Sequence, residues 1–573
     1  MNTETFFQQF ELLADAPNGI AKLRELILQL AVQGKLVPQN PDDEPADVLL
    51  ERIKAEKERL VKERKIRNTK TDSNINIDVL IELPDKWALC QIGDFAIIQG
   101  GKRLPKGTTF SKTVTPHIYI RVTNMKNGTL IKDNLKYIDS EIYNAIEKYI
   151  IEKEDIYVTI AGTIGEVGEV PDFFNKMNLT ENAAKIVFRE LDKTYLILAL
   201  NSNFVQKQFT EKTNQQAQSK LALKRIANTL IPLPPLAEQH RIVEKVNRLM
   251  ELCDKLETQQ QQQHTKTLQL ATVATSRLTS AKTPEAFKQH WQNISKNFDL
   301  IYSTPENIKQ LRQTILQLAV MGKLVPQNPD DEPASVLLAK IKAEKEKLIK
   351  EGKIKKSKKL KAIASDEMPF DLPNSWIFTN IGELAQSLRY GTSKKCNYEV
   401  EGNPVLRIPN LLDGGIDTSD LKFAGLSESE LNELKVLKDD LLMIRSNGSK
   451  SLVGRTSVLR EDLDNYAYAG YLVRIRLLRK YISSIYLHLV LESKYIRDQI
   501  EIPVRTTTGV KNINSTEISN LVIPLPPLAE QHRIVAKVNQ LMTYCDELEA
   551  KLTQSLSDKE KLMDTAVYQL LTA

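Results

Sequence analysis

The residues of this chain that suggest a chemistry sit in polar loops around glycine. In the N-terminal half, GGKRLPKG supplies Lys102, Arg103 and Lys106, and RVTNMKNG supplies Arg121, Asn124 and Lys126. Gln216, Gln218, Ser219 and Lys220 follow further on. In the C-terminal half, RYGTSKK carries Tyr390, Thr392, Ser393, Lys394 and Lys395, and LRIPN carries Arg407 and Asn410. RSNGSK adds Arg445, Asn447 and Lys450, and RTTTGVK adds Arg505, Thr507, Thr508 and Lys511. Side chains of these types hydrogen-bond base edges and phosphates, and glycine lets a backbone approach a ligand closely. The expected chemistry is recognition of a nucleic acid. A single exposed Lys or Arg usually contacts nothing, so the clusters carry the expectation rather than their members. A net charge of +6 over 573 residues permits such a partner without demanding one.

Catalytic chemistry finds no support. The chain has no GxxxxGK[ST] loop and no HExxH, and GGKRLPKG has the wrong spacing to cradle a nucleotide phosphate. The Pro-Pro pairs are followed by Leu, so no Asp-Pro-Pro-Tyr methyltransferase box is present. The four cysteines, Cys90, Cys253, Cys396 and Cys545, form no CxxC pair, and the six histidines lack metal-ligand spacing, so no metal site is expected. Cys253 and Cys545 occupy apolar positions and read as small core residues. The start, MNTETFFQQF, lacks a secretory pattern, and no apolar run approaches the roughly 18 residues of a membrane span. A reducing cytoplasm is the expected compartment.

The elements that must position the loops are duplicated. Ile231–Glu257, IPLPPLAEQHRIVEKVNRLMELCDKLE, returns almost unchanged as Ile523–Glu549. Leu23–Leu60 returns as Leu311–Leu348 with roughly four in five positions identical. The second repeat reads helix, turn, helix. Its first helix carries Leu23, Ile27, Leu30 and Ala31 on one face and stops at Gly34. The turn VPQNPDDEP then starts the next helix with acidic residues and a proline. The first repeat leaves a Pro-rich strand for an amphipathic helix. Ile242, Val246, Leu249, Cys253 and Leu256 fall on it as heptads, and so do Ile534, Val538, Leu541, Cys545, Leu548 and Leu552. A continuous helix of about 40 residues there would span about 60 Å. The basic runs Lys62–Lys70 and Lys347–Lys361 read as solvated helix ends and linkers, or as phosphate contacts.

Between the repeats lie two stretches that differ from each other. HIYIRV, DIYVTIAG, DLLMIRSNG and GYLVRIRLL read as strands. The predicted order is an N-terminal helical region (1–82), an α/β domain (83–233), a central helical region (234–371), a second α/β domain (372–525) and a C-terminal helix (526–573). The chain ends hold the parts that the middle holds joined. Docked together they would rebuild it and give a pseudo-twofold, circular α+β arrangement, with two long antiparallel coiled-coil elements holding two domains apart. Two readers at a fixed separation suit two half-sites on a duplex.

Taken together, PLPPLAEQHRIV at Pro232–Val243 and Pro524–Val535 and LQLAVxGKLVPQNPDDEPA at Leu28–Ala46 and Leu316–Ala334 resemble the specificity subunit of a Type I restriction-modification system. The resemblance covers the whole chain. It implies that the variable stretches are target-recognition domains, each reading half of a split, asymmetric sequence in double-stranded DNA, with the spacer set by the helices. It implies two modification (methyltransferase) subunits as partners, joined by restriction subunits when cleavage occurs. S-adenosylmethionine would belong to the modification subunits, and ATP and magnesium to the restriction subunits, leaving this chain non-catalytic and free of cofactor. Glu238, Gln239, His240 and Arg241, with their copies Glu530, Gln531, His532 and Arg533, would pin domain to helix or meet the methyltransferase.

Two other readings make different demands. An enzyme with a cryptic site in one domain would show nuclease or methyltransferase activity in the lone chain. A spacer carrying two protein-binding domains would lack the steep salt dependence of DNA binding.

Overall fold

A computed structural model describes residues 3–63, 82–210, 220–356, 359–501, 505–507 and 510–572. The chain divides into two units, Met1–Gln262 with Ser555–Ala573, and Gln263–Gln554. Each is built from the same parts.

In the first unit the helix Gly19–Val32 buries Leu23, Leu26, Ile27 and Leu30, one face of a 3.6-residue repeat. It stops because Gly34 takes φ +70°, and Lys35 N–H turns back to Leu30 O at 3.0 Å. A Cβ on Gly34 would also lie 2.4 Å from Pro84 Cγ, so glycine is required for conformation and for space. The apolar face packs against Ile242, Val246, Leu249 and Cys253 of the helix Leu236–Thr279. It also packs against Met563, Ala566 and Leu570 of the helix Leu528–Thr572. The two chain ends therefore do dock: Lys22 Nζ lies 2.6 Å from Asp564, and Lys35 Nζ donates to Leu571 O. Arg24 reaches Asp254 and Glu257, both at 2.7 Å.

The segment that follows carries two four-stranded sheets among short helices. Ile97–Gly100, Ala183–Val187, Ile156–Thr159 and Val167–Glu169 pair antiparallel in that order. Tyr137–Ile138, His117–Ile120, Met177–Leu179 and Ile150–Ile151 form the second sheet, whose central pair is parallel. The segment opens on the strand Ala88–Gln91 and closes on Leu230–Leu233, and these two strands pair with each other.

The second unit repeats the plan. The helix Pro305–Val320 is started by Thr304, whose hydroxyl accepts from Asn307 N, with Pro305 in the first turn. It packs with Ala271 and Leu278 and with Ile534, Val538 and Cys545. Arg312 reaches Asp546 and Glu549 as Arg24 reaches its pair. Gly322 takes φ +67° with Pro373 Cγ 2.5 Å from a notional Cβ. Ile377–Asn380 pairs with Val522–Leu525, and between them Ala385–Tyr390, Leu472–Leu477, Leu441–Ile444 and Thr456–Val458 make an antiparallel sheet. The central region, read as helical, holds the helices Pro284–Lys296 and Phe298–Ile301 between the long helix and Pro305–Val320 in sequence. Both long helices run as 44 and 45 residues without a break. Among the described residues no helix is long and apolar enough to cross a membrane.

Candidate nucleic-acid interface

The repeated AEQHR start of each long helix is a clamp. Glu238 is 1% exposed and accepts from Trp87 Nε1 at 3.0 Å and from Gln39 Nε2 at 2.6 Å. Gln239 accepts from Asp192 N and donates to Pro234 O, which fixes the start of the helix Lys193–Asn201. Arg241 forks onto Asp43 of the NPDDEP turn, at 2.6 and 3.3 Å. Glu530 repeats this with Trp376 and Gln327, Gln531 with Ser483 N and Pro526 O, and Arg533 with Asp331. Within their own unit, Glu238, Gln239, Glu530 and Gln531 pin domain to helix, and Arg241 and Arg533 pin the NPDDEP turn to it. The histidines differ: His240 lies 2.9 Å from Asp192, whereas Ser483 stands in the matching place and His532 is exposed.

The clamp carries opposite pH signatures. Burial raises the Glu238 carboxyl above its ordinary value of 4.5, against the hydrogen bonds from Gln39 and Trp87. A carboxyl raised in the folded state contributes stability that is complete below its unfolded value and is lost as pH rises through the folded one. Asp43 has the reverse sign, because the hydrogen bond from Arg241 lowers it. Its contribution is present above the ordinary value and is lost as pH falls through the depressed one. Glu238→Gln is therefore expected to remove the component of the urea midpoint that declines as pH rises above 4.5. Arg241→Gln should remove the component lost in acid.

With the clamp holding the frame, the polar loops come together. In the first unit Gly101 presses on the 179–183 turn. A Cβ there would sit 2.1 Å from Thr180 O, and Lys102 N donates to Leu179 O at 2.9 Å. The buried Tyr119 hydroxyl lies 2.8 Å from Lys102 O and 3.1 Å from Glu181. Burial pushes that phenol up to about 12. Arg103 Nε donates to Glu181 at 2.8 Å. Burial works to raise Glu181, but bonds from Arg103, its own backbone, Tyr119 and Thr180 outweigh it and hold the carboxyl low. Arg103, Tyr119, Arg121, Thr180, Glu181 and Asn182 line a surface pocket of about 380 Å³. Lys102, Lys106, Lys126 and Lys220 are exposed.

In the second unit Gly391 makes the same close approach, since a Cβ there would sit 2.1 Å from Tyr468 O, and Thr392 N donates to that oxygen. The Arg445 guanidinium stands 4.6 Å over the Tyr390 ring and donates to Gly470 O. Ser446–Asn447 pairs with Val510–Asn512, which pairs with Arg505–Thr507, so the backbone of RSNGSK lies beside these two strands. Lys394 bonds Glu430 and Gly425 O, and with Ser427 holds Glu430 at about 2. Ser393 and Lys395 are exposed and Lys450 and Lys511 half-buried. Of Arg505 and Thr507 only the backbone is described, and Gln216, Gln218, Ser219 and Thr508 lie outside the described residues.

Asn124 and Asn410, expected as base readers, are buried at 0% and 2%. Each caps its own loop. Asn124 accepts from Arg121 N and donates to Asp133 O, and Asn410 accepts from Arg407 N and donates to Asp420 O. Their amides shape the loop and present no edge to a ligand. Arg121 and Arg407 are twins as well, each donating through Nη2 to a carbonyl thirteen residues on, Asn134 O and Asp420 O. Tyr119, Glu181 and Glu430 are not among the residues expected from the sequence, because a phenol or a carboxylate shows its place in these loops only through the carbonyl or cation that it contacts.

A family model for the Type I restriction modification DNA specificity domain matches residues 84–265 and 373–558. The chain belongs to that family. Its two variable segments are the recognition domains of a specificity subunit, and it is a non-catalytic chain whose role is DNA sequence specificity. The Type I restriction enzyme EcoEI specificity subunit of Escherichia coli is 33% identical over 564 residues, 95% of this chain and 93% of the relative. The EcoAI specificity subunit of the same species is 33% identical over 577 residues, 96% and 94% of the two chains. The solved HsdS subunit from Thermoanaerobacter tengcongensis is 18% identical, with 86% of this chain and 98% of that one covered and a TM-score of 0.44.

Proposed function

We propose that segments 83–233 and 372–525 each read one half of a bipartite, asymmetric DNA site, with the gap between the halves set by the long helices of regions 1–82, 234–371 and 526–573. The observation that carries this is the contrast between the two units. The clamp contacts are the same pair by pair, while the loops that face solvent differ in residue type. A constant frame with divergent loops suits one subunit that must deliver the same partners to two different sequences. The partners in this reading are double-stranded DNA, two modification subunits that carry S-adenosylmethionine, and restriction subunits that use ATP and magnesium, all in the cytoplasm.

Contacts that recur in both domains carry no half-site information, so Arg121, whose Nη2 bonds a backbone carbonyl, is assigned to phosphate, whereas Arg407 is already paired with the Asp420 carboxylate at 2.9 Å; the unique loops are assigned to bases. Arg121→Ala is expected to weaken all sequences alike and to lower the salt slope by about one unit, without changing the motif. Binding of the complex to site and scrambled duplexes across a salt series checks this. The function itself is tested by producing the chain with its modification subunit and sequencing methylated bases in the host DNA. A split motif with a fixed gap is expected. A single continuous motif, or none from a stable complex, would overturn the bipartite reading.

A further inference from the structure

We infer that Arg103 reads a guanine in the half-site of the first domain, and that Glu181 is the positioning residue that aims it. The inference rests on the DNA-reading assignment and adds to it the base and the device. Arg103 is 79% exposed at its side chain, yet it is not free to sweep solvent, because its Nε is tied to Glu181 Oε1 at 2.8 Å. That bond occupies the inner edge of the guanidinium and leaves Nη1 and Nη2 as a planar fork. Such a fork matches the O6 and N7 acceptors of guanine in the major groove. Glu181 is itself held, with Oε2 3.1 Å from the Tyr119 hydroxyl and 3.2 Å from Thr180 Oγ1. Tyr119 is 4% exposed, so the chain of contacts ends in the core.

The carboxylate also decides between base and backbone. A phosphate oxygen brought to the fork would meet the negative charge of Glu181 a few ångströms away, whereas a guanine edge is neutral and is not repelled. The second domain lacks the device at the matching position. Counting from the equivalent glycines Gly101 and Gly391, Ser393 stands where Arg103 does. The neighbouring Lys394 is already bound to Glu430. The reader therefore belongs to one half-site only.

The test uses the chain produced with its modification subunit, with methylated motifs sequenced and the complex titrated with duplexes that carry guanine or another base at each position. Arg103→Ala alters an exposed side chain and should leave folding intact. It is expected to make one guanine position degenerate, with discrimination there falling roughly 5- to 150-fold while the other positions stay sharp. Glu181→Ala should relax the same position by less, and Glu181→Gln, which keeps one acceptor, less again. A uniform loss of affinity with an unchanged motif in Arg103→Ala would make Arg103 a phosphate contact and overturn the inference. A sharp motif in both Glu181 variants would remove the positioning role. If the wild-type complex itself yields no split motif, the DNA-reading assignment has failed first, and that result is distinct from a variant that fails within a working complex.

Discussion

Trp87→Ala is expected to cost about 3–5 kcal/mol of stability, among the largest single losses available in this chain. Trp87 is 6% exposed, and its indole N–H bonds Glu238, itself 1% exposed. Truncation leaves a cavity against the Gly34 turn and strips a buried carboxylate of one of its two donors. Trp376→Ala should do the same in the second unit, where Glu530 would keep only Gln327. Trp87→Phe separates the contributions. It keeps most of the volume and loses the hydrogen bond, at about 1–3 kcal/mol. Urea denaturation of the wild type and the three variants measures all of them. An alanine variant that unfolds with the wild type would mean that the clamp does not hold the domain to its helix.

Gly101→Ala and Gly391→Ala are expected to abolish recognition one half-site at a time. Neither glycine has positive φ, so the requirement is for space alone. The added methyl would meet a backbone oxygen at 2.1 Å, and no flexible side chain is there to move aside. The loop must lift, at about 1–3 kcal/mol of strain. It takes with it every base contact that it makes, each worth about 1–3 kcal/mol of discrimination. Duplexes with one or the other half-site scrambled give the readout. Gly101→Ala should become indifferent to scrambling of one half, Gly391→Ala to the other, with each keeping its response to the half it still reads.

Much of the frame was legible because it was written twice. The heptads predicted the buried faces of the long helices, Gly34 and Gly322 marked the helix ends, and the circular order of repeats foretold the docking of the chain ends. The variable segments were harder. Their strands show as short β-branched runs, but which strand pairs with which is settled by contacts far apart in sequence. The parallel pairing of His117–Ile120 with Met177–Leu179 has no local signal. The clamp was half visible. Trp, Gln, Asp, Glu and Arg recur at matching places in both copies, yet nothing local joins Trp87 to Glu238 across 151 residues. Within the loops, residue type did not separate Asn124 and Asn410, whose buried amides hold their own turns, from exposed donors, because a short amide suits a turn as well as a base. Glu181 shows why the remainder was hidden: its bond with Arg103 joins residues 78 apart in the chain and exists only in three dimensions.

The pairing of Ala88–Gln91 with Leu230–Leu233, and of Ile377–Asn380 with Val522–Leu525, has an evolutionary consequence. Paired strands lie about 4.8 Å apart, so each variable segment leaves the frame and rejoins it at nearly one point. Such a segment is a cassette. A replacement of different length or internal sheet order needs to begin and end on those two strands and to offer a backbone N–H to Gln239 or Gln531, while the contacts of Glu238 with Trp87 and Gln39 and of Arg241 with Asp43 lie outside it and are kept. New specificity can then arrive whole, by exchange of a block of coding sequence between the duplicated flanks, rather than by stepwise drift through intermediates that read nothing.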